Sequence, residues 1–235
     1  MNNSVKNRKK AIIAIVLSMA VTIGIIAFLI VDEYTYCKQV RHVNEIISAM
    51  QNDDTEAFST LINDPSRSVE RPRRSALSWL AHVFFSGLLR MDSVPTSSCL
   101  EEACRTGNPF YGEKLLESGA NPNKYMKDEY LPPLLSALSC RYDDESKDNI
   151  KLIIELLLAH GADVNIQDSW GQNALIHLFE YDMSNEETEQ CQYELAVLLT
   201  EHSIDKNHKD HNGMTAYDYA VKNGYSQNTI ELLKP

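Results

Sequence analysis

Apolar residues recur along much of the chain at the three-to-four-residue spacing that predicts amphipathic helices. The clearest stretch covers residues 153–165, where an apolar helical pattern ends at Gly161 and a short polar segment follows. Glycine is common just past the end of a helix. Related segments lie 42 residues earlier and later, so Asn123, Asn165 and Asn207 are equally spaced. A fixed period of this kind predicts a stack of repeated helical units.

Each unit is predicted to hold two helices. The first helices open at Ser98, Pro132, Asn173 and Thr215, and each follows a polar finger that contains Asn or Asp. Except in the last unit, the second helices are rich in Leu and Ile and end in the glycine element or a variant of it. Helices of this composition bury one face against their neighbours.

Residues 43–97 carry a weaker version of this pattern. Two short helices are predicted over 43–50 and 56–62, followed by a basic loop over 66–74 and a buried helix over 75–91. Terminal repeats are often atypical because one of their faces meets solvent. We therefore interpret residues 43–97 as divergent N-terminal helical repeats and residues 98–235 as the regular array.

The N-terminus has a different pattern. A basic tail over residues 1–10 precedes an uncharged apolar run over residues 11–31, and a link over 32–42 follows. A helix of about 20 apolar residues spans a bilayer, so we predict a transmembrane anchor over 11–31. A cleaved signal peptide is one alternative, although its apolar part is usually shorter and ends at small residues. A buried helix of a soluble protein is the other.

Charge is distributed unevenly along the chain. All 33 acidic residues but only 18 of the 22 basic ones follow residue 31, which gives this part a net charge of −15. The basic tail predicts a cytoplasmic N-terminus and an exported C-terminal domain, facing the periplasm from the inner membrane in a bacterium. The negative balance argues against nucleic acid. It favours a protein partner with a basic surface, or solubility alone.

The repeated segments resemble ankyrin repeats, whose first helix opens Thr-Pro-Leu-His-x-Ala and whose second ends Leu-Leu-x-x-Gly-Ala-Asp-x-Asn. The resemblance is good over 98–235 and poor over 43–97. It implies an all-α ankyrin-repeat solenoid with short hairpin fingers and a C-terminal cap, preceded by one transmembrane helix. Where the family has His, this chain has Glu101, Leu135, Ile176 and Asp218. The lost hydrogen bonds of that His imply a less rigid array.

The 42-residue period exceeds the family's period of about 33, and the extra residues lie between the paired helices. Both inserts begin with Tyr and continue with acidic residues. Insertions in such a stack project from one face, and aromatic residues amid charge suit a protein interface. The predicted partner-binding residues are Tyr142, Asp143, Asp144, Glu145, Tyr181, Asp182, Glu186, Glu187 and Glu189, with His177 in the concave groove. Solvated helix ends are the alternative interpretation.

No catalytic, phosphate-binding or zinc-protease motif is present in the sequence, so we predict no enzyme activity, cofactor or small-molecule substrate. His177 has no nucleophile near it in sequence. His202, His208 and His211 are closely spaced, but exposed finger residues are a better interpretation than metal ligands. The cysteines lack zinc-site spacing, and burial is expected for them, with a Cys104–Cys140 bridge as an alternative.

Such a fold predicts a binding surface rather than a reaction. We therefore predict a membrane-anchored, exported module that captures a protein. Its architecture resembles exported ankyrin-type immunity proteins that accompany bacterial secreted toxins, notably lipase effectors. That resemblance implies occlusion of a toxin's active site. A structural scaffold of the cell envelope and an enzyme with a dispersed site are the alternatives.

Overall fold

The structure is a computed structural model that describes residues 2–64, 69, 98–124, 131–139, 147–180 and 186–234. Within these residues every regular element is a helix, which confirms the all-α class. The helices are α1 (Asn2–Gln51), α2 (Thr55–Ile62), α3 (Cys99–Thr106), α4 (Pro109–Glu117), α5 (Pro133–Leu138), α6 (Lys147–Ala159), α7 (Ala174–Phe179), α8 (Glu186–Glu201), α9 (Ala216–Lys222) and α10 (Gln227–Leu233). The helix predicted over 75–91 lies outside the described residues, as does the loop over 66–74 apart from Val69.

The chain divides into two compact units, residues 1–42 with 72–94 and residues 43–71 with 95–235. In the first unit the described chain is the N-terminal part of α1. Helix α1 begins at Asn2, so residues 2–10 of the predicted basic tail are helical. The apolar side chains between Met19 and Val31 are largely exposed. By length and composition, α1 is the one helix among the described residues that could cross a membrane.

The second unit opens with the last turns of α1 and with α2. The turn between them places Asp53 in the left-handed region, with φ of 53°. Phe58 of α2 meets Tyr111 of α4 edge-on, with ring centroids 4.7 Å apart. The Tyr111 hydroxyl donates to Asp53 Oδ1 at 2.7 Å. Burial, followed by Asp53, raises the pKa of Tyr111 to about 12. The end of α1 and helix α2 therefore pack against α4 of the next helix pair.

Helices of like position stack side by side in the second unit. α3 packs against α5, α5 against α7, and α7 against α9, while α4 packs against α6. A continuous apolar cluster runs through the stack and includes Leu135, Ile154 and Leu175, all fully buried. Each pair of helices can cover its apolar face only by meeting its neighbours. This arrangement is the predicted solenoid of helix pairs.

The position that holds His in ankyrin repeats is filled in two ways. Glu101 and Asp218 complete reciprocal N-caps with Ser98 and Thr215, at the starts of α3 and α9. Such a capping box satisfies backbone donors that the helix leaves unpaired. In α5 and α7 the corresponding residues, Leu135 and Ile176, are fully buried in the apolar cluster. Side-chain caps and apolar packing thus replace the family's hydrogen bonds.

Three of the described cysteines lie in the apolar interior of the stack. Cys99 and Cys104 of α3 and Cys191 of α8 are buried, as small apolar residues would be. The alternative of a Cys104–Cys140 bridge stays a prediction, because Cys140 lies outside the described residues. Burial raises the pKa of Cys191 to about 11, so this thiol stays protonated. A protonated, buried thiol is chemically inert.

Candidate protein-binding surface

Asparagines at the ends of two successive repeats bond to the finger that follows in the stack. Asn123 Oδ1 accepts a hydrogen bond from Asp163 N at 2.7 Å, and Asn123 Nδ2 donates to Gly161 O at 2.9 Å. One repeat further on, Asn165 Oδ1 accepts from Asp205 N at 2.8 Å. The 42-residue spacing of Asn123 and Asn165 therefore has a structural cause, because both side chains bond to the main chain of the next repeat.

Each of the two fingers that follow is closed by an aspartate near its tip. Asp168 Oδ1 accepts from Trp170 N at 2.8 Å and from Gln172 N at 2.9 Å. Asp210, 42 residues further on, makes the same pair of bonds at 2.9 and 3.0 Å. Aspartate is favoured in turns because its side chain bonds to the main chain just ahead of it. The fingers are thus fixed turns without regular strands.

Two histidines of the last finger hold the tip of the preceding one. His208 Nε2 lies 2.7 Å from Gly171 O, and His211 N donates to Trp170 O at 3.0 Å. Gly171 has φ of +74°, and a Cβ there would lie 2.7 Å from the His211 ring. Trp170 is 69% exposed between these contacts. The Trp170 side chain is therefore exposed to solvent, while hydrogen bonds from the last finger hold the main chain that carries it.

The buried carboxylate of Asp210 bonds the last finger to helix α9. Asp210 Oδ2 accepts from the Tyr219 hydroxyl at 2.7 Å. Burial raises the pKa of Asp210, but hydrogen bonds from Tyr219, Met214 and Asn212 outweigh it and hold that pKa below its usual value. Burial and the bond to Asp210 raise the pKa of Tyr219. The pair is therefore a neutral phenol on a carboxylate at neutral pH.

His177 meets a serine that lies far from it in sequence. Its Nε2 is 2.9 Å from Ser139 Oγ, 38 residues earlier and at the end of α5. The same hydroxyl donates to Leu135 O at 3.0 Å. Since one hydroxyl has one hydrogen, Ser139 is not activated as a nucleophile by this contact. His177 therefore contacts a serine that its sequence context did not predict. The contact is structural, since it joins α5 to α7.

The structure describes some of the predicted partner-binding residues. Glu186 begins α8, and the Glu187 side chain is exposed. Glu189 Oε1 accepts from Ser226 N and from Thr229 Oγ1, both at 2.8 Å. This carboxylate thereby caps the start of α10. Outside the described residues lie Tyr142, Asp143, Asp144, Glu145, Tyr181 and Asp182. Their role in binding stays a prediction.

The capping role of Glu189 has an electrostatic signature. Burial is the largest influence on the pKa of Glu189 and raises it. The hydrogen bonds from Ser226 and Thr229 together outweigh burial, so the pKa lies below its usual value. At the other end of α10, Lys206 Nζ donates to Leu232 O at 2.8 Å. Side chains from the preceding repeat therefore satisfy both ends of the last helix.

The closely spaced histidines do not form a metal site in the part of the chain that the structure describes. No group of three or more His, Cys, Asp or Glu side chains is placed there to hold an ion. His208 and His211 instead contact the neighbouring finger, and His202 is exposed at the end of α8.

Sequence reasoning missed Trp170 as a candidate for binding. The signal was available, because a tryptophan between Ser169 and Gly171 sits at the turn of a predicted finger. Apolar residues at turns cannot easily be buried, and exposed aromatic side chains are typical of interfaces.

Stacked helix pairs with projecting fingers define a class of helical-repeat proteins, which bind partners through extended surfaces. Residues 138–235 match the family model described as ankyrin repeats, in three copies. The match confirms the resemblance over that segment, and ankyrin repeats indicate a protein–protein interaction module. No curated protein matches the chain.

Gly171→Ala is expected to destabilise the protein more than Gly161→Ala. Both residues have positive φ, +74° and +84°, so alanine costs about 1 kcal/mol at either position. At Gly171 the new Cβ also meets the His211 ring, whereas nothing lies within 4 Å at Gly161. We expect a further loss of about 1 kcal/mol at Gly171 in urea unfolding, and partial rescue by His211→Ala. Equal losses at the two glycines would contradict the steric account.

Proposed function

We propose that this chain is a membrane-anchored, exported protein-binding module, and that the Trp170 finger is the centre of its binding surface. The observation that carries the proposal is the exposure of Trp170, at 69%, on a finger whose main chain is held by its neighbour. Tryptophan is enriched among the residues that dominate binding energy. A rigid support lowers the entropy lost when such a side chain is buried in a complex.

The anchor in this proposal is the N-terminal part of α1. Its apolar side chains between Met19 and Val31 are largely exposed, as contact with lipid requires, and its length suffices for a span. The cations before residue 11 favour a cytoplasmic N-terminus and an inner-membrane protein that faces the periplasm. The topology is tested by adding protease to intact cells and to cells with a permeabilised outer membrane. Protection of the repeats in both preparations would reverse the proposed orientation.

The acidic inserts are proposed as a second contact region, for a partner with a basic surface. Replacing Asp143, Asp144, Glu145, Glu186, Glu187 and Glu189 by neutral residues removes charge that would steer association. Glu189 is best tested separately, since its bonds to Ser226 and Thr229 support folding. With the other five replaced, partner association should slow at low salt and become less sensitive to salt. An unchanged association rate across salt would remove the inserts from the interface.

A more specific version is an immunity protein that occludes a secreted toxin, such as a lipase effector. An anchored inhibitor would be concentrated where a membrane-attacking toxin acts. The test is co-expression with the toxin encoded by the neighbouring gene, exported to the periplasm, with cell survival as the readout. Survival should require the repeats. Cell death despite stable, correctly anchored protein would exclude inhibition of that toxin.

A scaffold of the cell envelope is the alternative function. The same finger surface would then bind a resident envelope protein and would inhibit nothing. Crosslinking in cells that lack the neighbouring gene separates the two functions. A stoichiometric complex that persists there favours the scaffold, whereas its loss favours the immunity role.

Trp170→Ala is expected to weaken partner binding about 30-fold or more, because truncating a central aromatic residue typically costs 2 kcal/mol or more. The matched control is Leu152→Ala, which removes an apolar side chain that is 46% exposed on α6, a second helix. Affinity for the neighbouring gene's product is measured by calorimetry with both variants. Equal affinities for the wild type and Trp170→Ala would place the surface elsewhere.

A further inference from the structure

His177 of α7 joins two stacked helices through one ring nitrogen. Its Nε2 lies 2.9 Å from the hydroxyl of Ser139, which caps the C-terminal end of α5. Its Nδ1 is buried and lacks a hydrogen-bond partner in the described structure. A buried polar atom without a partner is costly, and such atoms often mark functional positions.

The contacts of Ser139 assign the proton on this ring. The Ser139 hydroxyl is placed to donate to Leu135 O at 3.0 Å, and a carbonyl oxygen can only accept. The hydroxyl oxygen then accepts from His177 Nε2–H. In this tautomer Nδ1 carries a lone pair, so an acceptor is left without a partner. Protonation of the ring would place a new N–H, and a charge, at that buried atom.

The next repeat has a tyrosine at the position equivalent to His177. Tyr219 lies 42 residues after His177, and its hydroxyl donates to Asp210 at 2.7 Å. The counterpart of Asp210 is Asp168, which is buried and uses Oδ1 to bind its own finger. Within the described residues, no hydrogen bond joins Asp168 to His177. The repeat that contains His177 therefore lacks a counterpart of the Tyr219–Asp210 hydrogen bond, and a titratable imidazole occupies the position of the tyrosine.

We propose that His177 is a proton-sensitive latch between α5 and α7, which keeps these two helices and the Trp170 finger that precedes α7 ordered at neutral pH and loosens them in acid. Its consequence for partner affinity rests on the proposed function. The latch itself is a property of the free protein and is tested without a partner.

Burial and the nearby carboxylates shift the pKa of His177 in opposite directions. Burial is the largest influence on the pKa of His177 and lowers it, whereas the carboxylates of Asp168 and Glu180 raise it to a smaller extent. α5 has no titratable residue between Pro133 and Leu138. The charged residues of α9, Asp218 and Lys222, are exposed, as are Glu187 and Glu194 of α8. On α9 there are also the partly buried Tyr217 and Tyr219, whose hydroxyl is held by Asp210. On α8 there are also Glu186 at its start, Glu189, which caps α10, the protonated Cys191, the partly buried Tyr193 and the exposed Glu201.

The direction of the pH effect follows from the lowered pKa. In the unfolded chain His177 has an ordinary pKa of about 6.5. Because the folded pKa is lower, the unfolded state binds more protons between the two values, and stability falls as pH drops below about 6.5. Over that interval each pH unit lowers the folding equilibrium constant by up to about tenfold. Above it, the ring is neutral in both states and the contribution is constant.

The decisive experiment compares urea unfolding of the full chain in lipid nanodiscs at about pH 7.5, 6.5 and 5.5, a range in which histidine titrates. His177→Gln retains a donor for Ser139 but cannot be protonated, so its loss of stability in acid should be smaller than that of the wild type. His202→Gln removes an exposed histidine and should behave as the wild type does. Equal pH dependence in the wild type and His177→Gln would overturn the latch.

A second measurement uses the wild type alone, so it does not depend on the folding of a variant. Nitrogen-15 spectra of labelled histidines should show His177 with its proton on Nε2 at neutral pH and a titration below the ordinary histidine range. A proton on Nδ1 at neutral pH, or a titration at or above that range, would contradict the proposal. A failure of the Trp170→Ala binding test would remove the proposed function and leave these two results unaffected.

Discussion

Leu157→Ala is expected to lower the free energy of unfolding of the repeat unit by about 2–5 kcal/mol. Leu157 is 1% exposed and lies in α6, within the element that defines the repeat. Truncation removes buried methyl groups and leaves a cavity that the surrounding helices can fill only in part. In a stacked array stability is the sum of the repeats and their interfaces, so a cavity in a central repeat also weakens the adjoining interfaces.

The matched control for Leu157→Ala is Leu152→Ala in the same helix. Leu152 is 46% exposed, so the same truncation should change stability by less than about 1 kcal/mol. Both variants are measured as full-length protein in detergent micelles by urea unfolding, followed by circular dichroism. Similar midpoints for the two variants would mean that α6 does not bury the face that the structure assigns to it.

The repeat architecture was largely predictable because it rests on local signals. The helix stop at Gly161 has φ of +84°, as the position of the glycine predicted. The spacing of Asn123 and Asn165 predicted equivalent positions, and both asparagines bond to the next finger. Such features depend on residues close in sequence and on a period, and both can be read from one chain.

The candidate site was less predictable because its contacts join separate repeats. The approach of Ser139 to His177 depends on how α5 and α7 stack, and no short motif encodes it. The sequence assigns Glu189 to partner binding because it is an acidic residue of the second insert. Its position opposite the start of α10 depends on the packing of the last repeat. The exposure of Trp170 likewise required the finger conformation to be known.

Asp210→Ala is expected to destabilise the last repeat by about 2–4 kcal/mol, because a buried carboxylate that accepts several bonds leaves several donors unpaired when it is removed. Asp210 is 6% exposed. Its loss leaves the Tyr219 hydroxyl and two backbone N–H groups of the finger without their acceptor. The His211 contact to Trp170 lies in the same finger, so the support of the proposed binding surface should weaken as well.

Asp163→Ala is the matched control for Asp210→Ala, since Asp163 makes a similar turn bond, to Asn165 N at 2.9 Å, but is exposed. It should cost about 1 kcal/mol or less. The pKa of Asp210 is lowered in the folded state, so its stabilising contribution is present above the unfolded pKa of about 3.9. That contribution is lost as pH falls through the folded pKa, and the gap between wild type and Asp210→Ala should narrow in strong acid. Urea midpoints at neutral pH and near pH 3 measure both effects. A gap that widens in acid would show that the carboxylate is not the stabilising acceptor in this finger.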